Sequence, residues 1–240
     1  MLQLVGSVLY WGFVLVSAAA MFPIAAVIWA STLPFDRRRV VLHAFTSVWA
    51  GLYTWFSPWR VEVVGREHID PARTYVMVAN HNSLVDIFVL FRLFTHFKWV
   101  SKIENFRLPF IGWNMSLNGY VALRRGDRDS VVRMLARCET LLREGNSVML
   151  FPEGTRSKTG ELKPFKPGAF ELAVRTGLPV LPIAITGTFA ALPKHGLRIA
   201  AQRIVVRVLP AVEPGESIEA LTEDVRGRIA AITARPAGPP

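Results

Sequence analysis

Two short polar segments of this 240-residue chain carry the residue types best suited to catalysis. The first reads Asn80-His81-Asn82-Ser83-Leu84-Val85-Asp86 and lies between an apolar β-type run and a helical pattern. In that position Ser83 can cap the helix, and the Asp86 carboxylate in the first turn can reach back to the His81 imidazole. An imidazole oriented by a carboxylate can act as a general base. The alternative is that Asp86 only stabilises the helix start and that His81 is an ordinary loop residue.

The second segment, Phe151 to Ser157, reads FPEGTRS and follows an apolar strand candidate. Pro152 and Gly154 favour a tight turn, which can project the side chains of Glu153 and Arg156 from the edge of a sheet. A carboxylate and a guanidinium placed in this way could hold a hydroxyl and a phosphate. A plain surface turn with solvated charges is the alternative.

The elements around these segments predict an α/β fold with a mixed central sheet flanked by helices. Short runs rich in β-branched residues alternate with helical patterns from Arg60 onward. The predicted strands are Val61 to Val64, Tyr75 to Ala79, Lys98 to Val100, Tyr120 to Leu123, Ser147 to Phe151, Val180 to Ile185 and Ile204 to Leu209. The predicted helices lie near Val85 to Phe94, Asp129 to Arg143, Gly168 to Thr176 and Ser217 to Thr233.

The N-terminal region predicts a membrane-associated helical segment or hairpin. The uncharged run from Leu2 to Ala30 exceeds the roughly 20 residues that a helix needs to cross a bilayer, and a cleaved signal peptide would have a basic start and a shorter apolar stretch. Trp29 and the cluster Asp36 to Arg39 are typical of interfacial anchors, and the arginines favour the cytoplasmic side. A second aromatic-rich run, Val40 to Pro58, could return across the membrane, lie at its surface or form a hairpin within one leaflet.

Three regions follow from these patterns. We expect a membrane-anchoring helical region at residues 1–58, an α/β domain at residues 59–233 and a disordered tail rich in proline and glycine at residues 234–240. The histidines outside the first segment, His43, His68, His96 and His195, are expected to be packing, interfacial or surface residues.

Composition narrows the class of function. The chain is 51% hydrophobic with a mean hydropathy of +0.32, and its formal net charge of +10 suits an anionic bilayer or a polyanionic substrate such as coenzyme A. Nucleic acid is not an expected partner, because the sequence contains no nucleic-acid-binding module. The single cysteine, Cys138, excludes an internal disulfide and a four-cysteine zinc site, and no spacing of Cys and His predicts another metal site.

The motifs resemble those of the glycerolipid acyltransferase family, which includes 1-acylglycerol-3-phosphate acyltransferases. Asn80 to Asp86 is similar to the family's NHxSxxD block, and Phe151 to Ser157 is similar to its FPEGTRS block without a mismatch. Lys102 to Arg125 and Leu178 to Ile183 resemble two further blocks in the expected order. The chain departs from the pattern at Ala122, where the family commonly has an aromatic residue.

This resemblance implies transfer of a fatty acyl group from acyl-CoA or acyl-carrier protein to the sn-2 hydroxyl of lysophosphatidic acid, without a cofactor. His81 would remove the proton of the acceptor hydroxyl and Asp86 would orient it, so that no acyl-enzyme forms. The substrate-binding residues implied are Glu153, Gly154 and Thr155 around the acceptor, and Lys102, Arg125 and Arg156 around its phosphate, with Arg124 as the second choice for Arg125.

The site is expected at the cytoplasmic face of a membrane, the inner membrane if the protein is bacterial. Three other functions stay open at this point. The same chemistry could use lyso-ornithine lipid, dihydroxyacetone phosphate or glycerol 3-phosphate as acceptor. The protein could instead be a non-catalytic membrane lipid-binding protein, or a thioesterase that needs no acceptor.

Overall fold

The computed structural model describes residues 2–193 and 196–234. His195 and residues 235–240 of the expected tail lie outside this range. The helices are α1 (Leu2–Thr32), α2 (Val40–Trp55), α3 (Val85–Leu90), α4 (Ile111–Leu117), α5 (Arg128–Arg143), α6 (Gly168–Thr176), α7 (Thr188–Ala191) and α8 (Ile218–Thr233). The strands are β1 (Trp59–Val64), β2 (Val76–Ala79), β3 (Lys98–Lys102), β4 (Val121–Leu123), β5 (Val148–Leu150), β6 (Val180–Thr186) and β7 (Gln202–Val208).

The strands form one mixed sheet in the order β1-β7-β6-β2-β5-β3-β4. Neighbouring strands are parallel except for β6 and β7, which are antiparallel. The predicted fold class is confirmed, and the ends of the predicted strands differ from the observed ones by at most two residues. The helix predicted from Val85 to Phe94 is shorter, because a 3-10 turn at Phe91–Leu93 follows α3 and Phe94 then adopts a left-handed conformation with φ of 51°.

Each face of the sheet is covered by its own hydrophobic core. On β2, whose four residues are all buried, Met77 and Ala79 point into a core formed with α1, α2 and α3. Val76 and Val78 point into a second core formed with α5, α6 and α8. Because successive side chains on a strand point to opposite faces, a strand buried on both sides is apolar throughout.

Helix α1 lies along the α/β domain instead of projecting away from it. Near its start, Gln3 Nε2 donates to the Ile199 carbonyl at 3.1 Å. Farther along, the Phe22 ring packs edge-on against Trp113 of α4, with 5.3 Å between ring centroids. The helix is nevertheless the one described element long and apolar enough to cross a membrane. Its outward face carries exposed apolar side chains, among them Leu4, Val5, Val8, Leu9, Leu15, Val16, Ile24 and Val27.

The linker between α1 and α2 is fixed to the sheet by a buried lysine. Lys98 Nζ donates to the carbonyl oxygens of Arg38 at 2.7 Å and Asn118 at 2.8 Å. Burial lowers the pKa of this amine to about 7. Arg39, which is expected to be an interfacial anchor, also contacts the protein. Its guanidinium donates to the Leu117 carbonyl and lies 5.8 Å from the centre of the Trp29 ring.

Asn80 connects the carboxyl end of β2 to its neighbour β6. Its side-chain amide donates to the Ile185 carbonyl at 2.9 Å and accepts the Ile185 N–H at 2.7 Å. The residue is 1% exposed, so neither backbone group has water as a replacement partner.

We therefore expect Asn80→Ala to lower the free energy of unfolding by about 2–4 kcal/mol, because both Ile185 backbone groups lose a buried partner. Urea unfolding of the detergent-solubilised protein measures this change. Gln202→Ala is the control, since Gln202 makes no side-chain hydrogen bond within the described part of the chain. Equal unfolding midpoints for the two variants would contradict the assignment.

Candidate active site

The first polar segment forms a tight loop between β2 and α3 in which one carboxylate gathers three groups. Asp86 Oδ2 accepts the backbone N–H groups of Asn82 and Ser83, each at 2.7 Å, and lies 2.9 Å from His81 Nδ1. His81 is 7% exposed and Asp86 is fully buried. Because Nδ1 faces the carboxylate, Nε2 is the imidazole nitrogen available to a substrate.

Ser83 bonds to the start of the helix as expected, although it lies one residue before the assigned N-cap position. Helix α3 begins at Val85, and Leu84 at the N-cap position makes no side-chain capping bond. Ser83 Oγ donates to the Leu192 carbonyl at 2.6 Å and accepts the Val85 N–H at 3.2 Å. The other half of the expected capping box is present, since Asp86 reaches back to the Ser83 N–H.

An aromatic ring fixes the plane of the imidazole. Phe151 stacks on His81 with 3.9 Å between ring centroids and an interplanar angle of 9°, and Trp99 packs next to Phe151. One face of the imidazole is therefore closed to water. Together with the Asp86 contact, this packing leaves His81 a single orientation.

The second polar segment holds the main chain of His81 from both sides. Glu153 Oε1 accepts the His81 N–H at 2.6 Å, and the Ser157 N–H donates to the His81 carbonyl at 2.8 Å. Glu153 Oε2 accepts the Lys163 N–H at 3.2 Å. Glu153 is 3% exposed, so it does not project from the sheet edge as expected but points inward, and its oxygens are engaged by backbone amides.

The rest of this turn stays close to His81. Gly154 has a φ of +73°, and an added Cβ would lie 3.0 Å from Lys166 Cε, so the turn requires glycine here. Thr155 and Arg156 follow as half-buried residues. Burial lowers the pKa of the Arg125 guanidinium, the charge of Glu104 raises it and the charge of Arg156 lowers it, which places both charged residues near Arg125.

A cavity of about 250 Å³ opens at His81. The cavity is also lined by Phe151, which follows β5, by Lys102, which ends β3, and by Arg125, which follows β4. These residues therefore gather at the carboxyl edge of the parallel strands, where α/β folds place ligand sites. Arg124, the second choice for Arg125, lines a separate depression on the surface.

Most of the remaining cavity wall is apolar or aromatic. These side chains come from α1, α2, α3, β3 and the region around α4: Trp11, Val14, Trp49, Ala50, Tyr53, Leu84, Ile87, Phe88, Phe91, Trp99, Val100, Leu108, Ile111 and Met115.

Sequence reasoning did not identify the stacking of Phe151 or the contribution of the N-terminal helices to the cavity. The i, i+4 spacing of Trp49 and Tyr53 on α2 would have shown that both rings share one helix face. The other conspicuous reactive residue, Cys138, is buried in α5 away from the cavity, and burial raises the pKa of its thiol to about 12. Within residues 2–193 and 196–234, no group of His, Cys, Asp and Glu could hold a metal ion.

The buried Glu153 carboxyl gives a prediction about stability and pH. Burial raises its pKa from 4.5 to about 7. A carboxyl with a higher pKa in the folded state binds more protons when folded, so its contribution to stability falls as the pH rises between those two values. We therefore expect the melting temperature of the unmodified protein minus that of the Glu153→Gln variant to decrease as the pH rises from about 5 to about 8.

Scanning fluorimetry of both proteins across this range measures the difference. Glu216→Gln, which changes an exposed glutamate before α8, is the control and should leave the pH dependence in place. A difference in melting temperature that does not change with pH would contradict a raised pKa of Glu153.

The chain is similar in sequence to known acyltransferases. The chain is 37% identical over 224 residues to a 1-acyl-sn-glycerol-3-phosphate acyltransferase of Chlamydomonas reinhardtii, covering 92% of this chain and 66% of the relative. It is 39% identical over 200 residues to a chloroplastic enzyme of the same description from Brassica napus, covering 82% of this chain and 58% of the relative. The chain thus spans less than two thirds of the length of these relatives.

A solved structure shares nearly the whole fold. The acyltransferase PlsC of Thermotoga maritima, described as a 1-acyl-sn-glycerophosphate (LPA) acyltransferase, superposes with a TM-score of 0.78 at 25% sequence identity, covering 98% of both chains. The family model described as Acyltransferase matches residues 60–186, which include both polar segments. Since this match covers more than half of the sequence, the chain belongs to the acyltransferase family.

Proposed function

We propose that this protein transfers a fatty acyl group from a thioester to the sn-2 hydroxyl of lysophosphatidic acid, making phosphatidic acid. The observation that carries the proposal is the position of the His81–Asp86 pair at the mouth of a largely apolar cavity, beside Lys102 and Arg125. This arrangement combines a base for a hydroxyl, an apolar space for an acyl chain and cations for a phosphate. The names of the relatives from Chlamydomonas reinhardtii and Brassica napus support the choice of acceptor.

The proton moves through His81 Nε2. This nitrogen takes the proton of the acceptor hydroxyl while the oxygen attacks the thioester carbonyl, and Asp86 stabilises the imidazolium that forms. When the tetrahedral intermediate collapses, the new C–O bond remains, the C–S bond breaks, and the proton passes from His81 to the departing thiolate. Neither an acyl-enzyme nor a cofactor is needed, since His81 acts as base and then as acid.

Three cations would hold the acceptor phosphate: Lys102, Arg125 and Arg156. Lys102 lies 3.4 Å from Glu104, and both side chains are partly exposed, so this surface ion pair is weak and Lys102 can turn to a ligand. The neighbouring charges of Arg125 and Arg156 oppose each other, and a bound phosphate dianion would offset that repulsion. Gly154 and Thr155 form the turn that brings Arg156 to this position.

Glu153 acts through His81 instead of through the acceptor. Its carboxylate accepts the His81 N–H, so it sets where the base stands relative to the cavity. A residue that positions the base in this way affects the chemical step more than substrate affinity.

The membrane supplies the acceptor. Helix α1 is attached to the domain both near Gln3 and near Phe22, and its opposite face is apolar and exposed, so we place it flat within one leaflet instead of across the bilayer. The arginines after α1 favour the cytoplasmic leaflet. We keep the division into an anchoring region at residues 1–58 and an acyltransferase domain at residues 59–233. A product with two acyl chains could then stay in the leaflet from which its precursor came.

Mass spectrometry of the lipids formed from defined acyl donors and acceptors tests the reaction directly. The purified protein should acylate lysophosphatidic acid at the sn-2 position with acyl-CoA or acyl-carrier protein as donor. A preference for an acceptor without phosphate would overturn the roles of Arg125 and Arg156. Release of free fatty acid without any acceptor would indicate a thioesterase.

Loss of the base should remove most of the activity. His81→Ala is expected to lower kcat by at least about 100-fold, because no other histidine, aspartate or glutamate lines the cavity in the described part of the chain. The comparison is His68→Ala, which changes a half-buried histidine in the 3-10 turn after β1 and should leave kcat unchanged. Initial rates with the lysophosphatidate acceptor measure both, and equal rates for the two variants would exclude His81 as the base.

The cavity should control which acyl chains are used. Ala50 is a buried residue of α2 that lines the cavity, so Ala50→Phe should shorten the space available to the chain. We expect kcat/KM for short relative to long acyl donors to rise about tenfold, which corresponds to excluding roughly two methylene groups. Ala44→Phe places the same ring on the exposed face of α2 and is the matched control. An unchanged chain-length profile for Ala50→Phe would show that the acyl chain binds elsewhere.

A further inference from the structure

A second concave site lies beside the candidate active site, at the edge of the sheet. This depression has a volume of about 510 Å³, which is within the range of small-molecule sites. It lies between β4, the outermost strand, and α5. Three arginines line it: Arg124 after β4, and Arg133 and Arg137 from α5. None of these residues has a role in the proton transfer proposed above.

The protein neutralises only part of the positive charge of this depression, since three arginines and one aspartate line it. Within residues 2–193 and 196–234 none of the three arginines forms an ion pair. Arg133 and Arg137 are four residues apart on α5, a spacing at which like charges repel. The acidic residue in the wall, Asp127, already accepts the Ser130 N–H at 2.9 Å as the cap of α5. An anionic ligand bound between these two arginines would offset their repulsion.

The positive field extends beyond the depression. Burial lowers the pKa of the Arg39 guanidinium, the charge of Asp36 raises it and the charge of Arg137 lowers it, so Arg137 lies close to the linker after α1. The walls between the arginines include the side chains of Ile103, Tyr120 and Met134. The depression therefore combines guanidinium groups with apolar and aromatic surface, as nucleotide sites do.

The depression and the candidate active site are lined by neighbouring residues around β4. Arg124 and Arg125 are adjacent residues, and one lines the depression while the other lines the cavity at His81. Tyr120, at the other end of β4, lines both. A ligand with its anionic end at Arg124 can thus have a reactive end at His81 if a long arm joins the two.

We infer that the depression lined by Arg124, Arg133 and Arg137 binds the phosphate groups of a nucleotide-bearing thioester, the coenzyme A form of the acyl donor. This inference rests on the proposed function, because the ligand is the donor of that reaction. The phosphates make charge-assisted hydrogen bonds to the guanidinium groups, and the nucleoside packs against the apolar walls.

Although Arg137 lies near the basic linker, the depression as a whole is on the side of the sheet away from the exposed apolar surface, which favours a soluble ligand over a membrane lipid. Helix α5 packs on the face of the sheet opposite to α1 and α2, whose exposed apolar side chains mark the side proposed to enter the bilayer. A concave site of this size also fits a nucleotide better than the convex surface of an acidic protein.

The test is a double substitution on the exposed face of α5, Arg133→Gln with Arg137→Gln. With acyl-CoA as donor we expect KM for the donor to rise about tenfold or more, which is about 1.4 kcal/mol of lost binding. The KM for lysophosphatidic acid and kcat should not change. A thioester of the same acyl chain on N-acetylcysteamine, which has no phosphate, should show no difference between variant and unmodified protein.

Binding without turnover separates this inference from the proposed reaction. Calorimetry with adenosine 3′,5′-bisphosphate and with coenzyme A should show binding to the detergent-solubilised full chain and weaker binding to the double variant. This result stands even if lysophosphatidic acid proves not to be the acceptor. Arg226→Gln with Arg228→Gln, which removes the same charge from α8, is the matched control and should bind like the unmodified protein.

Three outcomes would overturn the inference. The first is unchanged coenzyme A binding in the double variant. The second is a loss of binding to vesicles containing anionic lipid with coenzyme A binding intact, which would assign the depression to the membrane surface. The third is a rise in donor KM that is seen with acyl-carrier protein as donor but not with acyl-CoA. That result would assign the depression to an acidic protein partner.

Discussion

The candidate site depends on the burial of one carboxylate. Asp86 is fully buried, and an ionised carboxylate without partners would be too costly to bury. Its Oδ2 therefore gathers two backbone N–H groups and the His81 imidazole around itself, and this determines the path of the loop between β2 and α3. Its Oδ1 has no hydrogen-bond partner among the described residues, so the imidazole is the main neighbour that can compensate the charge. The same contacts that stabilise the loop also orient the His81 imidazole.

The second polar segment completes what Asp86 begins. Glu153 and Ser157 hold the two backbone groups of His81, and Phe151 closes one face of its ring. These contacts join positions about 70 residues apart in sequence, which the sheet brings together because β2 and β5 are adjacent parallel strands. The FPEGTRS turn is therefore a structural support for the imidazole as well as a neighbour of the cavity.

Sequence reasoning was most successful where local spacing carries the information. The alternation of strand and helix patterns predicted all seven strands, and the spacing of His81 and Asp86 predicted their contact, since both depend on residues close in the chain. The sequence predicts an outward orientation for Glu153, because nothing near it in sequence shows that its partner is the His81 amide. Likewise, the surroundings of Arg124 and Arg125 depend on how β4 is placed in the sheet, which their adjacent positions do not reveal.

The cavity is closed only where the two N-terminal helices cover it. Trp11 and Val14 of α1 and Trp49 and Tyr53 of α2 form part of that wall, whereas His81 and Asp86 belong entirely to the α/β domain. Lys98 holds the carbonyl of Arg38, between the two helices, against the sheet. A chain whose helices were undocked would keep the His81–Asp86 contact but would have an open, solvent-filled groove in place of an enclosed cavity. The cavity is thus enclosed only when both helices pack on the α/β domain, and that packing is what keeps bulk water from its apolar wall.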